Sequence, residues 1–259
     1  MLGNLKNILR LSHIRFLSLI ERYCKDINIS GVSLIIAPHP DDEALGCGGL
    51  IARLCAANNP PHVAILTGGG GSLRGWAEIA EVDVIKARRR LTLDSARQLG
   101  LPKENIHFLD FEDGSIEARL KTEIDRLGEL IDIIKPDNIF VPHSGEGWPD
   151  HLAAREIGIE LAPPSTVVWE YCVWMWYYNV WNLDWKNAYV LRMSSKELNS
   201  KLQAVDAYVK PLSSCGKPWS GILPKLFIKA NTSKSELYFI HRAPINFPVG
   251  GNTSVIYHG

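Results

Sequence analysis

The sequence predicts an α/β protein, with a three-layer Rossmann-like fold and a mainly parallel sheet. Short apolar runs of strand length alternate with longer segments of helical spacing along most of the chain. The first run, 32–37, is almost entirely apolar, as expected of a strand that is covered on both faces. Since 46% of the 259 residues are apolar, the chain can bury the core that this architecture requires.

The elements follow in a regular order, and local stop signals separate them. The first predicted helix ends at 58–61, where Asn-Asn-Pro-Pro cannot continue a helix. The second strand ends at four consecutive glycines, 68–71, and the second helix closes at Gly100 and Pro102. This alternation favours a parallel sheet with right-handed crossovers. The predicted strands are 32–37, 62–67, 106–110, 138–142 and 166–173, and the predicted helices are 44–57, 76–99, 116–134 and 151–161.

We expect one main domain behind an N-terminal amphipathic helical segment. In residues 1–29, apolar side chains recur at nearly helical spacing with basic side chains among them. Two interpretations stay open: the helix packs on the flank of the domain, or it lies at the interface of a membrane that contains anionic lipid. Residues 30–259 are expected to form the single domain, with a less regular part after about residue 187.

Composition limits the kinds of partner expected for the protein and indicates its cellular compartment. The 28 basic and 28 acidic residues cancel, so we expect no broad positive surface for nucleic acid. The five cysteines are odd in number and lack C-x-x-C spacing, which is typical of reduced thiols in a cytoplasmic protein. We find no signal-peptide pattern and no apolar stretch of the roughly 18 residues that a spanning helix needs. A small or neutral partner is favoured, with at most peripheral membrane contact through the N-terminal helix.

Polar residues follow two predicted strands that should be neighbours. His-Pro-Asp-Asp-Glu, residues 39–43, comes directly after the first strand, and the fourth strand is followed by 143–151, which ends in Asp-His. In a sheet of the Rossmann order these two strands lie side by side where the winding reverses, and ligands bind beyond their carboxyl ends. Two histidines and a carboxylate that converge there can form a divalent-metal site with an open position, as hydrolysis by a metal-activated water requires.

Spacing within the first segment favours a division of roles. His39 and Asp42 are three residues apart and can point the same way as a helix begins, whereas Asp41 projects elsewhere and is free to accept a proton. The simpler alternative is that acids at a helix start are caps that complement the helix dipole. The glycines within 46–49 are expected to let this helix approach the sheet.

These two segments resemble the PIG-L, or LmbE-like, family of zinc-dependent N-acetylglucosaminyl de-N-acetylases. The resemblance rests on Ala-x-His-Pro-Asp-Asp-Glu at 37–43 and Pro-Asp-His at 149–151, and it covers roughly residues 31–215. It implies a hydrolase that removes the acetyl group from an N-acetylated amino sugar of the N-acetylglucosamine type, attached to a larger carrier.

The resemblance also implies a role for the principal residues. His39, Asp42 and His151 would bind zinc, and Asp41 would be the general base while a metal-bound water attacks the acetamide carbonyl. A site with two histidines, one carboxylate and open positions also accepts iron, cobalt or manganese.

Other polar residues are weaker candidates. Arg74 and Asp113 follow the second and third strands and are candidates for substrate binding, although a solvated arginine and an Asp-Gly turn are ordinary alternatives. Asp150 is expected to support the metal ligands from behind, and Glu43 is expected either to do the same or to serve the start of the helix. The glycine run, 68–71, lacks the residues of a nucleotide-binding loop, so nucleotide binding is disfavoured.

The chain departs from the family pattern at one position. Several members have a histidine three residues before the last zinc ligand, where it stabilises the oxyanion, and this chain has Trp148. Either His143 or the more distant His241 supplies the donor, or Asp41 acts alone as base and acid, or activity is reduced. Trp148 and His143 are therefore also substrate-binding candidates. The alternative functions are another metal-dependent amidase or deaminase, or a carbohydrate-binding relative without catalysis.

Aromatic residues concentrate in one segment, 168–185. Five of the eight tryptophans fall between Trp169 and Trp185. Such a cluster builds either a core or the interface of a homo-oligomer, or it forms a wall that stacks on sugar rings or shelters a lipid portion. Different residues of the segment could serve both purposes.

Overall fold

The computed structural model describes residues 2–75, 79–178, 181 and 183–241, with side chains from residue 5 onward. Its strands form a single eight-stranded sheet. The strands are β1 (Lys25–Asp26), β2 (Ser33–Ala37), β3 (His62–Thr67), β4 (Ile106–Phe111), β5 (Asn138–Pro142), β6 (Val167–Tyr171), β7 (Ala188–Arg192) and β8 (Ser235–Ile240). They run in the order β1-β7-β8-β6-β5-β2-β3-β4, and among these strands only β8 is antiparallel to its neighbours.

Helices cover both faces of this sheet, which confirms the three-layer α/β fold predicted from the sequence. The helices are α1 (Leu2–Ile20), α2 (Asp42–Ala56), α3 (Glu81–Leu99), α4 (Lys121–Ile134), α5 (Pro149–Glu160), α6 (Ser195–Val209) and α7 (Lys225–Asn231). One hydrophobic cluster lies between the sheet and α2, α3 and α6, and a second lies between the sheet and α4 and α5. No described helix is both long enough and apolar enough to cross a bilayer.

Strand β2 is buried on both faces and occupies the point where the winding of the sheet reverses. Leu34 and Ile36 pack in the cluster under α4 and α5, whereas Ile35 and Ala37 pack in the cluster under α2 and α3. Parallel neighbours β3 and β5 flank it. The first and fourth strands predicted from the sequence therefore lie side by side, so the segments that follow them meet at one edge of the sheet.

Helix α2 approaches the sheet closely because its first turns contain glycine. A methyl group at Gly46 would overlap the ring of Tyr171 on β6. The hydroxyl of Tyr171 donates a 2.9 Å hydrogen bond to the backbone oxygen of Ile36, so the ring is fixed between helix and sheet. The expected role of the glycines within 46–49 is confirmed at this position.

Two predicted helices begin later than the sequence indicates. Helix α3 starts at Glu81, because Ala80 before it has extended backbone; Trp76, the start expected from the sequence, lies outside the described residues. Helix α4 starts at Lys121, because Arg119 has a left-handed backbone with φ of 52° and ends the preceding turn of 3-10 helix.

The segment after about residue 187 was expected to be less regular, but regular elements make up much of its described part, 188–241. It contributes β7, α6, α7 and β8. A capping box starts α6: the Ser194 hydroxyl accepts the N–H of Glu197 at 3.3 Å, and the Glu197 carboxylate accepts the N–H of Ser194 at 2.6 Å. Ala204 and Val205 then pack in the core.

The N-terminal helical segment predicted over 1–29 ends as an α-helix at Ile20. Residues 25–26 form β1, which extends the sheet beside β7. Leu17 is fully buried in a small cluster with Met175 and Trp176. Helix α1 therefore packs on the flank of the domain, as one of the two interpretations expected.

Candidate active site

A cavity of about 560 Å³ opens beyond the carboxyl ends of β2 and β5. Its floor is polar, and one side is aromatic and aliphatic. The polar residues that line it include His39, Asp41, Asp42, Arg88, Asp113, Asp150 and His151, and the apolar ones include Trp148, Trp174, Ile222, Leu223 and Phe227. The cavity lies where the sequence predicted a ligand site.

His39, Asp42 and His151 bring one donor atom each to the cavity floor. Asp42 begins α2 and His151 lies in the first turn of α5. Oδ2 of Asp42 lies 3.2 Å from Nδ1 of His39 and 3.3 Å from Nε2 of His151. Ligands that bind zinc tetrahedrally at 2.0–2.1 Å are about 3.4 Å apart, so this spacing and this donor set fit zinc.

A second group could also hold a metal ion: His39 with Asp113 and Asp150. Nε2 of His39 lies 3.2 Å from Oδ2 of Asp150 and 3.3 Å from Oδ1 of Asp113. Both carboxylates already accept backbone hydrogen bonds, Asp150 from Gly114 and Ile116, and Asp113 from Gly71. They therefore serve better as partners that orient His39 through its second nitrogen.

Charges at the floor shift the pKa values of the candidate ligands. Burial lowers the pKa of His39, but the carboxylates of Asp113, Asp150 and Asp42 raise it well above its ordinary value. Burial raises the pKa of Asp42, but His151 and His39 outweigh this and lower it. Asp42 and Glu146 likewise raise the pKa of His151 against the effect of burial, so the carboxylates favour the protonated form of both imidazoles when no cation is bound. A divalent cation would replace those protons, so metal binding would release protons.

Asp41 has an unusual backbone and a buried carboxylate. Its φ of 109° lies in a region that residues other than glycine rarely adopt, which costs on the order of 1–3 kcal/mol. Burial raises the pKa of Asp41 to about 7, although the neighbouring charge of Arg88 opposes this. A carboxyl group with this pKa can both accept and return a proton near neutral pH.

Arg88 on α3 holds Asp41 in place, although the sequence did not single out this residue. Nη2 of Arg88 donates to Oδ2 of Asp41 at 3.0 Å and to the backbone oxygen of Pro40, and Nη1 donates to the backbone oxygen of Gly69 at 3.1 Å. The run of three arginines at 88–90 was visible in the sequence. Which of the three is buried depends on the rotation of α3 about its axis relative to the sheet, and this rotation turns Arg88 inward.

Glu43 contacts the backbone of Asp41 from behind the cavity floor. Its Oε2 accepts the backbone N–H of Asp41 at 3.0 Å, and its Oε1 accepts the hydroxyl of Tyr208 at 2.6 Å. Burial raises the pKa of Glu43 to about 7. Tyr208 comes from α6, in the part of the chain that was expected to be less regular.

Glu146 connects His151 to the aromatic segment, a role that the sequence did not predict. Its carboxylate accepts backbone N–H groups from Val173 at 2.8 Å, Trp174 at 2.7 Å and Met175 at 3.1 Å. Oε2 lies 3.2 Å from Nδ1 of His151, close enough for an ion pair but not aligned as a hydrogen bond. Glu146 thus lies behind the imidazole of His151 and anchors the loop that carries Trp174.

The remaining candidates separate into two groups. Arg74 and Trp148 line the cavity; the Arg74 side chain is 72% exposed, and Trp148 packs edge to face against Trp174. His143 and His241 are not among the described residues that line it. His143 is buried against Phe239 and accepts the N–H of Gly145, and His241 lies 3.1 Å from Glu170. Neither histidine is placed to replace the one missing at position 148.

The aromatic segment 168–185 contributes both to the core and to the wall of the cavity. Trp169 and Trp176 are buried in the hydrophobic clusters. Trp174 lines the cavity, where its ring stacks on Phe227 with centroids 4.0 Å apart. Residues 179, 180 and 182 of this segment lie outside the described part of the chain.

Comparison with known proteins gives consistent matches. Residues 34–162 match the family model described as PIG-L, GlcNAc-PI de-N-acetylase. The chain is 34% identical over 134 residues to a diacetylchitobiose deacetylase from Thermococcus kodakarensis, which covers 49% of this chain and 47% of that protein. It is also 34% identical over 134 residues to a Bacillus subtilis protein named probable N-acetyl-alpha-D-glucosaminyl L-malate deacetylase 2, covering 48% and 57%. The match thus spans about half the length of these curated relatives.

Solved structures share the fold at low sequence identity. An N,N'-diacetylchitobiose deacetylase from Pyrococcus horikoshii aligns over 68% of both chains with a TM-score of 0.54 at 22% identity. The A40926 pseudoaglycone deacetylase Dbv21 aligns over 80% of this chain and 96% of its own with a TM-score of 0.63 at 16% identity. A 4-carboxy-2-hydroxymuconate hydratase from Pseudomonas putida aligns over 70% and 85% with a TM-score of 0.52 at 20% identity. These likenesses establish the fold.

The family match and the geometry coincide at the same residues. Matched residues 34–162 contain β2, β5, the start of α5 and both segments that supply the candidate metal ligands. On this match and on the segments that carry it, the chain belongs to the PIG-L family.

Proposed function

We propose that the protein is a zinc-dependent hydrolase that removes the acetyl group from an N-acetylated amino sugar, within a conjugate of the N-acetylglucosamine type. The observation that carries the proposal is the set of donor atoms from His39, Asp42 and His151 beside the buried carboxylate of Asp41, on the floor of one cavity. The names of the two curated relatives, both deacetylases of acetylated glucosamine compounds, support it.

His39, Asp42 and His151 would hold the zinc ion. When bound, zinc polarises the acetamide carbonyl and lowers the pKa of a water molecule in its coordination sphere towards about 7. Glu146 behind His151, and Asp113 and Asp150 behind His39, would fix the two rings in the orientation that presents their nitrogens.

Asp41 would accept the proton of the attacking water and return it to the sugar nitrogen as the C–N bond breaks. The products are acetate and the free amine, and the proton that Asp41 took is the one that the amine needs. Arg88 fixes one carboxylate oxygen of Asp41 by its 3.0 Å hydrogen bond. Since His143 and His241 lie elsewhere, Asp41 is proposed to act alone as base and acid.

The shape and lining of the cavity suit a sugar with an additional group. Asp113 is ionised near neutral pH, since its contact with His39 overcomes burial and lowers its pKa to about 2. Its carboxylate and the Arg74 guanidinium are proposed to bind sugar hydroxyls. Trp148, Trp174 and Phe227 form an apolar wall on which a sugar ring or an apolar carrier can stack.

We place the protein in the cytoplasm. All five cysteines lie in the described part of the chain, and each of them is a free thiol. Free thiols throughout a chain of this size are typical of a reducing compartment.

The proposal is tested by acetate release from N,N'-diacetylchitobiose and from N-acetylglucosaminyl conjugates, with the zinc-loaded protein. Chelation should abolish release, and Asp41→Asn should lower its rate by about 10²–10⁴-fold while zinc stays bound. Asp132→Asn, an exposed acid on α4, is the matched control and should keep the full rate.

Three outcomes would overturn parts of the proposal. Full activity in Asp41→Asn with bound zinc would remove the assignment of the base. Release of ammonia instead of acetate would favour a deaminase. Tight binding of the conjugates without any release by the zinc-loaded protein would favour a carbohydrate-binding relative.

A further inference from the structure

Helix α1 turns an apolar stripe towards solvent. Five large apolar side chains of this helix are between 40% and 59% exposed. They are separated by three, one, seven and three residues along the sequence, which places them within an arc of roughly 100° on one helix face. The five residues are Leu5, Ile8, Leu9, Phe16 and Leu19. A surface helix normally turns such a stripe towards the core.

The opposite face of α1 is attached to the domain, so the orientation of the stripe is fixed. His13 and Leu17 are fully buried on that side. Nε of Arg10 donates a 3.1 Å hydrogen bond to the backbone oxygen of Tyr177, and its guanidinium lies 3.6 Å from the centre of the Tyr177 ring. Rotating the helix to bury the stripe would break these contacts.

A groove of about 430 Å³ lies beside the stripe and carries three cations. Arg15 and Arg22 contribute from α1 and the turn after it, and Lys229 contributes from α7. Within the described part of the chain, none of the three forms an ion pair. Glu21, the first acid in the sequence, is bound by the hydroxyl of Ser235 at 2.6 Å. The groove is therefore positively charged, and Leu19 belongs both to it and to the stripe.

An apolar stripe with a basic flank and no acid within the helix matches the surface of an anionic membrane. Such helices lie in the interface plane, with apolar side chains among the acyl chains and cations at the phosphate groups. A second copy of this chain fits less well, because a symmetric helix pair would bring two basic flanks together.

We propose that α1 docks the protein on an anionic membrane surface. The stripe of Leu5, Ile8, Leu9, Phe16 and Leu19 enters the acyl region, and the groove of Arg15, Arg22 and Lys229 binds the phosphate of a lipid headgroup. Docking does not depend on the deacetylase proposal, since no residue of the stripe or of the groove lines the catalytic cavity.

Docking would also fix the position of the cavity relative to the lipid. The Tyr177 ring, which Arg10 covers, lies 5.9 Å from the ring of Trp174 in the cavity wall. Trp174 in turn contacts Trp148 with ring centroids 5.6 Å apart. Helix α1 and the apolar wall are thus joined by consecutive aromatic contacts.

The experiment is co-sedimentation of the full chain with vesicles of phosphatidylcholine, with and without about one third phosphatidylglycerol. We expect partition into the anionic vesicles, weakening as salt rises from about 0.1 M to 1 M, because the screening length falls from about 10 Å to 3 Å. Arg15→Gln and Arg22→Gln should each lower partition about fivefold, and Ile8→Asn and Leu9→Asn about tenfold each.

Matched control variants test whether membrane binding depends on these particular residues or on the overall hydrophobicity and charge of the surface. Ile133→Asn removes an apolar side chain on α4 that is 79% exposed, and Lys196→Gln removes an exposed cation at the start of α6; both should bind as the unaltered chain does. Circular dichroism verifies that each variant is folded.

Three results would overturn the proposal. The first is equal partition of the stripe variants and the unaltered chain, and the second is no binding to anionic vesicles at low salt. The third is a dimer in solution that Leu9→Asn converts to a monomer, which would assign the stripe to a second copy.

Discussion

Arg88 and Asp41 form a buried ion pair, with 3.0 Å between Nη2 and Oδ2, on the floor of the cavity. The same guanidinium donates to the backbone oxygens of Gly69 and Pro40, so it joins the loops after β2 and β3. It therefore stabilises both the charge of Asp41 and the strained backbone that presents this carboxylate.

Removing the charge of Arg88 should move the acid limb of the pH–rate profile to higher pH. Burial raises the pKa of Asp41 to about 7, and the Arg88 charge opposes that rise. The base acts when deprotonated, so Arg88→Met should require higher pH for the same rate, whereas Arg88→Lys should shift the limb less. The measurement is kcat/KM for acetate release against pH. Arg89→Met, which removes a more exposed ion pair with Asp110, is the control; a limb that stays in place in Arg88→Met would contradict the prediction.

Replacing the Asp42 carboxylate should remove most of the stabilisation that zinc gives to the fold. Asp42→Asn weakens the donor whose Oδ2 faces both imidazoles. In the unaltered chain, zinc at 100 times its dissociation constant should add about 2.7 kcal/mol to the free energy of unfolding. This gain should largely vanish in Asp42→Asn, but persist in His62→Asn, whose histidine pairs with His107 away from the cavity. Thermal unfolding with and without zinc, together with metal analysis, checks it; an unchanged zinc-dependent gain would reassign the site to His39, Asp113 and Asp150.

A histidine at position 148 should accelerate the reaction. Trp148 precedes α5 and lies three residues before His151, so a side chain there reaches the same face of the first turn. One added donor to a developing oxyanion is expected to raise kcat about 10–100-fold in Trp148→His. Trp148→Phe keeps the aromatic wall without the donor and should show no rise. Equal rates in the two variants, with zinc bound in both, would mean that the oxyanion already has its donor.

Removing the buried cation of Lys201 should destabilise the fold more than removing a cation from a surface ion pair. Its Nζ lies 2.6 Å from Oε1 of Glu236, and both side chains are fully buried against α2. Lys201→Met leaves a buried carboxylate without its cation and should cost about 3 kcal/mol, or roughly 10 °C in Tm. Adding Glu236→Gln should restore part of the loss. Lys121→Met, which removes the exposed pair with Asp125, should change stability by less than about 1 kcal/mol; equal losses in the two lysine variants would contradict the prediction.

The sequence predicted those parts of the site that local order determines. The segment 39–43 and the later Asp150-His151 lie directly after strands, and the order of the strands fixes their meeting. The contact of Glu43 with Asp41 was also within reach, because only one residue separates the two in the same turn.

The parts that the sequence did not predict depend on contacts between distant elements. Arg88 reaches Asp41 across 47 residues, and Tyr208 reaches Glu43 across 165. The helical spacing of 88–90 does not reveal which arginine faces inward until α3 is placed on the sheet. His143 was an attractive donor because it is polar and near β5, but its ring turns into the core against Phe239.

Glu146 gives the site a property that none of its neighbours has alone. One carboxylate holds the backbone under Trp174 and faces the imidazole of His151. In the proposed enzyme, a ligand on the cavity wall would therefore shift the affinity of His151 for a metal ion, and the ion would shift the affinity of the wall for that ligand by the same factor. Selectivity for the carrier and retention of the metal would then be linked, and a change in one of them would alter the other.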